Sequence, residues 1–269
     1  MKNKREAYTK IFTSINLRYF QLVFLFGILF SCQSADEHTV PGDIKTLKSP
    51  KAKSHKPKAL NEETAVGFLE EYESSLEDSL VVISTSFGDI TIKLYDNTPL
   101  HKANFRYLIE RDYFDNTWFY RVSKGHVVQA GNTDGRETVY KREAVGEYRI
   151  PAEMIPTNYH KYGAVAEARS YAKNPQKKSD PYEFYIVLGK AYTRGELQLL
   201  AEKHNFELTP AALDFYGNRR GSPHLDGQHT VFGEVIDGMD VVEKISLVEV
   251  DEGEWPLINI PLKISLKEQ

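Results

Sequence analysis

The chain has 269 residues, 27% of them charged and 41% hydrophobic, with a formal net charge of −4. This is the balance of an ordinary soluble protein, and the stretch from about Leu80 onward is long enough for one domain with a substantial core. The first 31 residues carry a net +4, which leaves −8 on the rest and argues against a nucleic-acid backbone as partner. Cys32 is the only cysteine, so a disulfide within the chain is excluded.

A basic opening (Lys2, Lys4, Arg5, Lys10, Arg18) leads into the apolar run Leu22–Phe30. That run is too short to span a bilayer and has the length of a signal-peptide core. Leu29-Phe30-Ser31-Cys32 resembles a bacterial lipobox. Residues 1–31 are therefore expected to be a lipoprotein signal peptide, with Cys32 acylated as the first residue of the mature protein. Each buried methylene of the acyl chains adds about 0.8 kcal/mol of membrane affinity. Gln33 rather than Asp follows, so the expected address is the cell envelope, as an outer-membrane lipoprotein on the periplasmic face or cell surface. Residues 32–60 contain Pro41, Pro50, Pro57 and six lysines between Lys45 and Lys58, and read as a flexible tether. A helical extension is expected over 61–79, with Asn61 as N-cap of a helix from Glu62 to about Ser75.

The domain is expected to fill 80–269. Val81–Ser86 and Ile90–Tyr95 are β-branched runs joined through Gly88-Asp89, a hairpin pattern. Thr98-Pro99 opens a helix with Thr98 as N-cap and Pro99 at the first helical position. Leu100, Ala103, Tyr107 and Leu108 fall on its core face. Further strands are expected at 117–122, 127–130, 164–168, 184–188, 231–235 and 258–267, and a last helix at 239–246. Between them lies an insert, 189–223, with helix signals of its own. Thr193 and Glu196 have capping-box spacing, and Thr209-Pro210 starts a second short helix that Gly217 ends. Many short strands with two framing helices indicate a closed antiparallel β-barrel with a helical insert.

Two groups of segments carry chemistry. Phe119-Tyr120-Arg121, Gly125-His126-Val127 and Gln129-Ala130-Gly131 lie on two adjoining expected strands, and His224-Leu225-Asp226-Gly227 with His229 follows about a hundred residues later. Ala164–Ala168 and Glu183-Phe184-Tyr185-Ile186 lie between. In order and spacing these segments resemble the site of cyclophilin-type peptidyl-prolyl isomerases, whose patterns run F-H-R, G-F-M, Q-G-G, Q-F-F-I and W-L-D-G. The resemblance covers roughly Val81 to the C-terminus without the insert, and it implies the same capped barrel.

It also implies roles. Isomerisation of an X-Pro bond needs no nucleophile. It needs an apolar slot for the ring and a fixed donor for the prolyl nitrogen. Arg121 would be that electrostatic donor, Gln129 its orienting partner, and His229 the third member of the catalytic group. Tyr120, His126, Val127, Ala168, Arg169, Glu183, Tyr185, His224 and Leu225 would bind substrate, with Ala168, Arg169 and Glu183 meeting its chain. Tyr120, His126, Val127, Arg169, Glu183, Tyr185 and His224 depart from the family pattern. His126 places a polar ring where the proline ring stacks, and the histidines imply pH-dependent binding between pH 5 and 8. No metal or other cofactor is expected, because His126, His224, His229 and Glu183 match no metal spacing. The expected partners are proline-containing peptides or unfolded exported proteins, met by a monomer. The competing expectation is a catalytically weak or inactive peptide-binding module, recognising its partner through the altered pocket and the insert.

Overall fold

The computed structural model describes residues 59–74 and 80–267. The expected signal peptide, Cys32 and most of the expected tether lie outside the described residues. Among the described residues no helix is long and apolar enough to cross a membrane.

A two-residue strand β1 (Leu60–Asn61) and helix α1 (Ala65–Glu73) precede the barrel. The helix begins later than expected. Asn61 does not cap it directly; its side chain accepts from the amides of Glu63 and Thr64 and closes the turn before it. Ala65 and Leu69 are fully buried, and Phe68 sits edge-on to Tyr107 at 4.8 Å. The extension is therefore packed onto the domain.

Strands β2 (Leu80–Thr85) and β3 (Gly88–Leu94) form the expected hairpin, with Val81 opposite Ile92 and Ile83 opposite Ile90. All four side chains are fully buried, which is what period-two alternation toward one interior produces. Helix α2 (Pro99–Ile109) follows. Thr98 stands at its cap position, but its hydroxyl donates to the Tyr95 carbonyl instead of accepting from the helix. The open amides of Leu100 and His101 donate to the Glu153 carboxylate, at 3.1 and 3.0 Å. A carboxylate at a helix N-terminus satisfies both the free donors and the dipole. His101 bridges Glu153 (2.6 Å) and Ser179 (2.8 Å). This Ser–His–carboxylate set is sealed, with His101 at 0% and Ser179 at 1% exposure, so it serves as a structural clasp.

Strands β4 (Thr117–Ser123) and β5 (Val127–Asn132) pair next. Helix α3 (Arg136–Val145) follows, an element absent from the sequence expectations, and leads to β6 (Gly146–Glu147), which pairs in parallel with β1. Strands β7 (Ala164–Glu167) and β8 (Phe184–Val187) precede the insert. In the insert, α4 (Arg194–His204) carries the Thr193–Glu196 capping box, and α5 (Pro210–Tyr216) is capped by Thr209. Strand β9 (Val231–Asp237), helix α6 (Met239–Ile245) and strand β10 (Pro261–Leu266) complete the chain.

The barrel order is β10-β2-β3-β9-β7-β8-β5-β4, and β10 pairs back onto β4. Every pairing is antiparallel, and closure leaves no edge to aggregate. Phe105 of α2 joins the interior, packing against Phe114, Phe184 and Phe232 at centroid distances of 5.0–5.3 Å. Val242 and Ile245 of α6 join the same core.

Candidate active site

The site grows from the other side of the same strands. Val128, Phe184 and Ile186 face the main core, whereas Val127, Tyr185 and Val187 belong to a second cluster with Ala164, Ala166 and Ala168. Against that second face rests a short 3-10 turn, Pro223–Leu225. The Leu-Asp-Gly turn ends on Gly227 at φ +66°, in open space, so backbone conformation alone selects glycine there. Between strands and turn lies a cleft of about 350 Å³. Arg121, His126, Val127, Gln129, Ala168, Arg169, Tyr185, His224, Leu225 and His229 line it, together with Tyr171. Ten of the twelve expected site residues thus meet in one cleft.

Two do not line it. Tyr120 donates its hydroxyl to Glu183 at 2.7 Å, and Glu183 accepts from Arg142 of α3 at 2.8 Å. Glu183 is held by that ion pair beside the cleft rather than lining it. Ala168 gives the cleft its methyl group. Its amide donates to the Glu183 carbonyl, and its carbonyl accepts from the Asp180 amide.

Sequence and structure comparisons bear on this geometry. Residues 80–265 match the family described as cyclophilin type peptidyl-prolyl cis-trans isomerase/CLD. The chain belongs to the cyclophilin-type peptidyl-prolyl cis-trans isomerases. A Staphylococcus aureus (strain USA300) protein that carries a peptidyl-prolyl cis-trans isomerase name is 30% identical over 188 residues, covering 68% of this chain and 88% of that protein. A Staphylococcus epidermidis protein of the same name is 29% identical over the same length. The fold is shared with a Cryptosporidium parvum cyclophilin type peptidyl-prolyl cis-trans isomerase solved in the presence of the dipeptide Ala-Pro. That structure has a TM-score of 0.50 at 22% identity, over 71% of this chain and 99% of the other. A second structure of the Cryptosporidium protein gives 0.51 at 21%, over 72% and 99%.

Within this cyclophilin's cleft, Arg121 is held less by Gln129 than expected. Nη1 reaches the Gln129 side-chain oxygen only at 3.4 Å, while the Gln129 amide donates to the Tyr120 hydroxyl. The closer partner is Glu254, which the sequence reading missed. It accepts from Nε at 2.8 Å and from Nη2 at 2.7 Å. Burial pulls the Glu254 carboxyl upward, but the Ser123 hydroxyl and Arg121 outweigh it and hold the group below the usual carboxylate range.

His229 is a neutral ring held by the fold. The His229 Nδ1–H donates to the Glu167 carbonyl (3.1 Å), which leaves Nε2 to accept from the Tyr171 hydroxyl (2.8 Å). Burial, reinforced by His160, pushes His229 down to about 3. Burial with His126 and His204 lowers His224 to about 4, and burial followed by Arg121 lowers His126. His224 and His229 thus titrate below pH 5, which corrects the pH switch expected of them. The rings of His126 and His224 stack at 5.2 Å, and His204 of α4 lies 4.8 Å from His224. His126 Nε2 and His224 Nδ1 are buried without a hydrogen-bond partner. Among the described residues no three His, Cys, Asp or Glu side chains converge to hold a metal ion.

Tyr185 keeps an aromatic face, and its hydroxyl is absorbed. His160 links it to Asp226, with Nδ1 2.8 Å from the Asp226 carboxylate and Nε2 3.1 Å from the Tyr185 hydroxyl. Tyr216 of α5 donates to the other Asp226 oxygen at 2.7 Å. The slot floor is thereby tied to the insert. Arg169 is anchored on Gln228 and lies 4.0 Å over the Tyr171 ring, and both border the cleft.

Proposed function

We propose that this cyclophilin isomerises X-Pro bonds of exported or cell-envelope proteins, working as a monomer anchored in the outer membrane through an acylated Cys32. The observation that carries the reading is the convergence of Arg121 and Gln129 with Val127, Ala168, Tyr185, Leu225 and His229 on one cleft. The reaction needs only rotation about an amide whose barrier is about 18–20 kcal/mol. The proline ring enters against Val127, Leu225 and the Tyr185 face. Arg121 donates to the prolyl nitrogen as its lone pair leaves amide resonance, and this stabilises the twisted state more than either planar one. His229, fixed as a neutral ring by Glu167 and Tyr171, walls the slot. Arg169 and Tyr171 meet the substrate chain at the rim.

The envelope address rests on the sequence alone: the basic opening, the short apolar run and the position of the only cysteine.

A second reading, a peptide-holding module with little turnover, is favoured by the unpartnered nitrogens of His126 and His224 in the slot. The isomerisation rate of an Xaa-Pro peptide separates the two. Arg121→Ala is expected to lose about 100-fold in kcat/KM, with peptide affinity within a few-fold of the parent. Equal acceleration by parent and variant would refute Arg121 as the donor, and no acceleration by the parent would leave the holding module. Intact mass of the membrane-extracted protein tests the anchor, since a mature N-terminus without acyl groups on Cys32 contradicts it.

A further inference from the structure

Glu254 reaches Arg121 from a loop that packs on β4. Val250 and Pro256 bridge across the loop's neck, and the Asp251 carboxylate accepts from the amides of Gly253 and Trp255. The Glu254 carbonyl accepts from the Val122 amide at 2.8 Å, beside Arg121 itself. Trp255 packs on Tyr120, with ring centroids 5.6 Å apart. Glu254 adopts φ +64°, a left-handed conformation that a glutamate adopts at a cost. Strain of this kind persists only where the surroundings enforce it, and it gathers at functional sites.

Both carboxylate oxygens are engaged on β4. Oε2 takes Nε and Nη2 of Arg121, and Oε1 takes the Ser123 hydroxyl at 2.6 Å. One edge of the guanidinium is thus fixed, and the Nη1 side remains for the cleft. Without Glu254 a long side chain, 38% exposed, would be left with a single 3.4 Å contact to Gln129. Arginine freed in that way samples many rotamers, and a donor aimed at a transient lone pair loses its value when misplaced by an ångström.

We infer that Glu254 is the positioning residue of this site: it holds Arg121 in the orientation that donates to the prolyl nitrogen, the part the sequence assigns to Gln129. The inference rests on the isomerase reading above. It is tested on the full-length chain with Glu254→Ala and Glu254→Gln, using peptide isomerisation and the Arg121 Nε–H resonance. Glu254→Ala is expected to lower kcat about tenfold with KM within about twofold, because binding contacts stay and only aim is lost. Glu254→Gln keeps an acceptor for Nε and is expected to recover activity to within about threefold of the parent. The Nε–H signal, protected in the parent, exchanges rapidly in the alanine variant and regains protection in the glutamine one. An alanine variant with the parent's kcat and KM overturns the inference, as does unchanged Nε–H protection. A parent that fails to accelerate isomerisation at all sinks the isomerase reading itself, and is seen before any variant is made.

Discussion

Phe184 and Tyr185 are neighbours on one strand and obey opposite rules. Phe184 points into the barrel and packs on the rings of Phe105 and Phe114. Tyr185 points to the cleft, where its hydroxyl enters a chain through His160 and Asp226 to Tyr216 of the insert. One face of the strand is packed for stability. The other is a set of polar groups, most of them locked by partners, around a small apolar floor. The cleft can therefore change residue by residue while the barrel stays intact, which is how a cyclophilin comes to carry His126 and His224 in its slot.

The comparison is broken most severely from the interior. Phe184→Ala is expected to cost about 3–5 kcal/mol, read by denaturant unfolding, because its cavity cannot collapse between the rings of Phe105 and Phe114. Next is Glu167, on β7. It is 2% exposed, one of its carboxylate oxygens has no partner, and burial followed by Asp180 and Glu183 raises its pKa well above normal. A raised carboxyl holds its proton more tightly in the fold than in the unfolded chain. Its contribution to stability is thus intact below the ordinary carboxylate range and is lost as pH climbs toward the folded value. Glu167→Gln should add about 1–3 kcal/mol at pH 8, with the gain shrinking as unfolding is measured toward pH 4. Tyr185→Phe removes only the hydroxyl link to the insert and is expected to cost about 1 kcal/mol. A larger loss there would show that the slot supports the barrel after all. His126→Phe restores an apolar ring to the slot: replacing a buried ring whose Nε2 has no partner should raise kcat/KM toward Xaa-Pro peptides by about 3–10-fold.

The difference between the faces also decides what the sequence could disclose. Strands announced themselves through β-branched runs, and the Thr193 and Thr209 caps through local spacing, because both signals are local. The cleft residues were legible because their order along the chain resembles a family pattern. Helix α3 was hidden by its polarity, since only Thr138 and Val145 are buried. The clasp of Glu153 on α2 and the grip of Glu254 on Arg121 join residues more than 50 and 130 positions apart, and no local pattern encodes such pairings. The ion pair of Glu183 was not legible because its partner, Arg142, sits on that unforeseen helix. Tyr171 lies in the loop after β7, a segment without periodicity, where only the fold brings it over His229.

The central claim is that the outer-face cleft is where the X-Pro bond is bound and turned. Mapping backbone amide shifts while an Xaa-Pro peptide is added, with the peptide's own cis–trans exchange followed in the same sample, tests it most directly. The account predicts shifts at Val127, Gln129, Ala168, Leu225 and His229, together with accelerated exchange of the peptide. Shifts confined to the insert or to α1, or an exchange rate no faster than that of the free peptide, would contradict it.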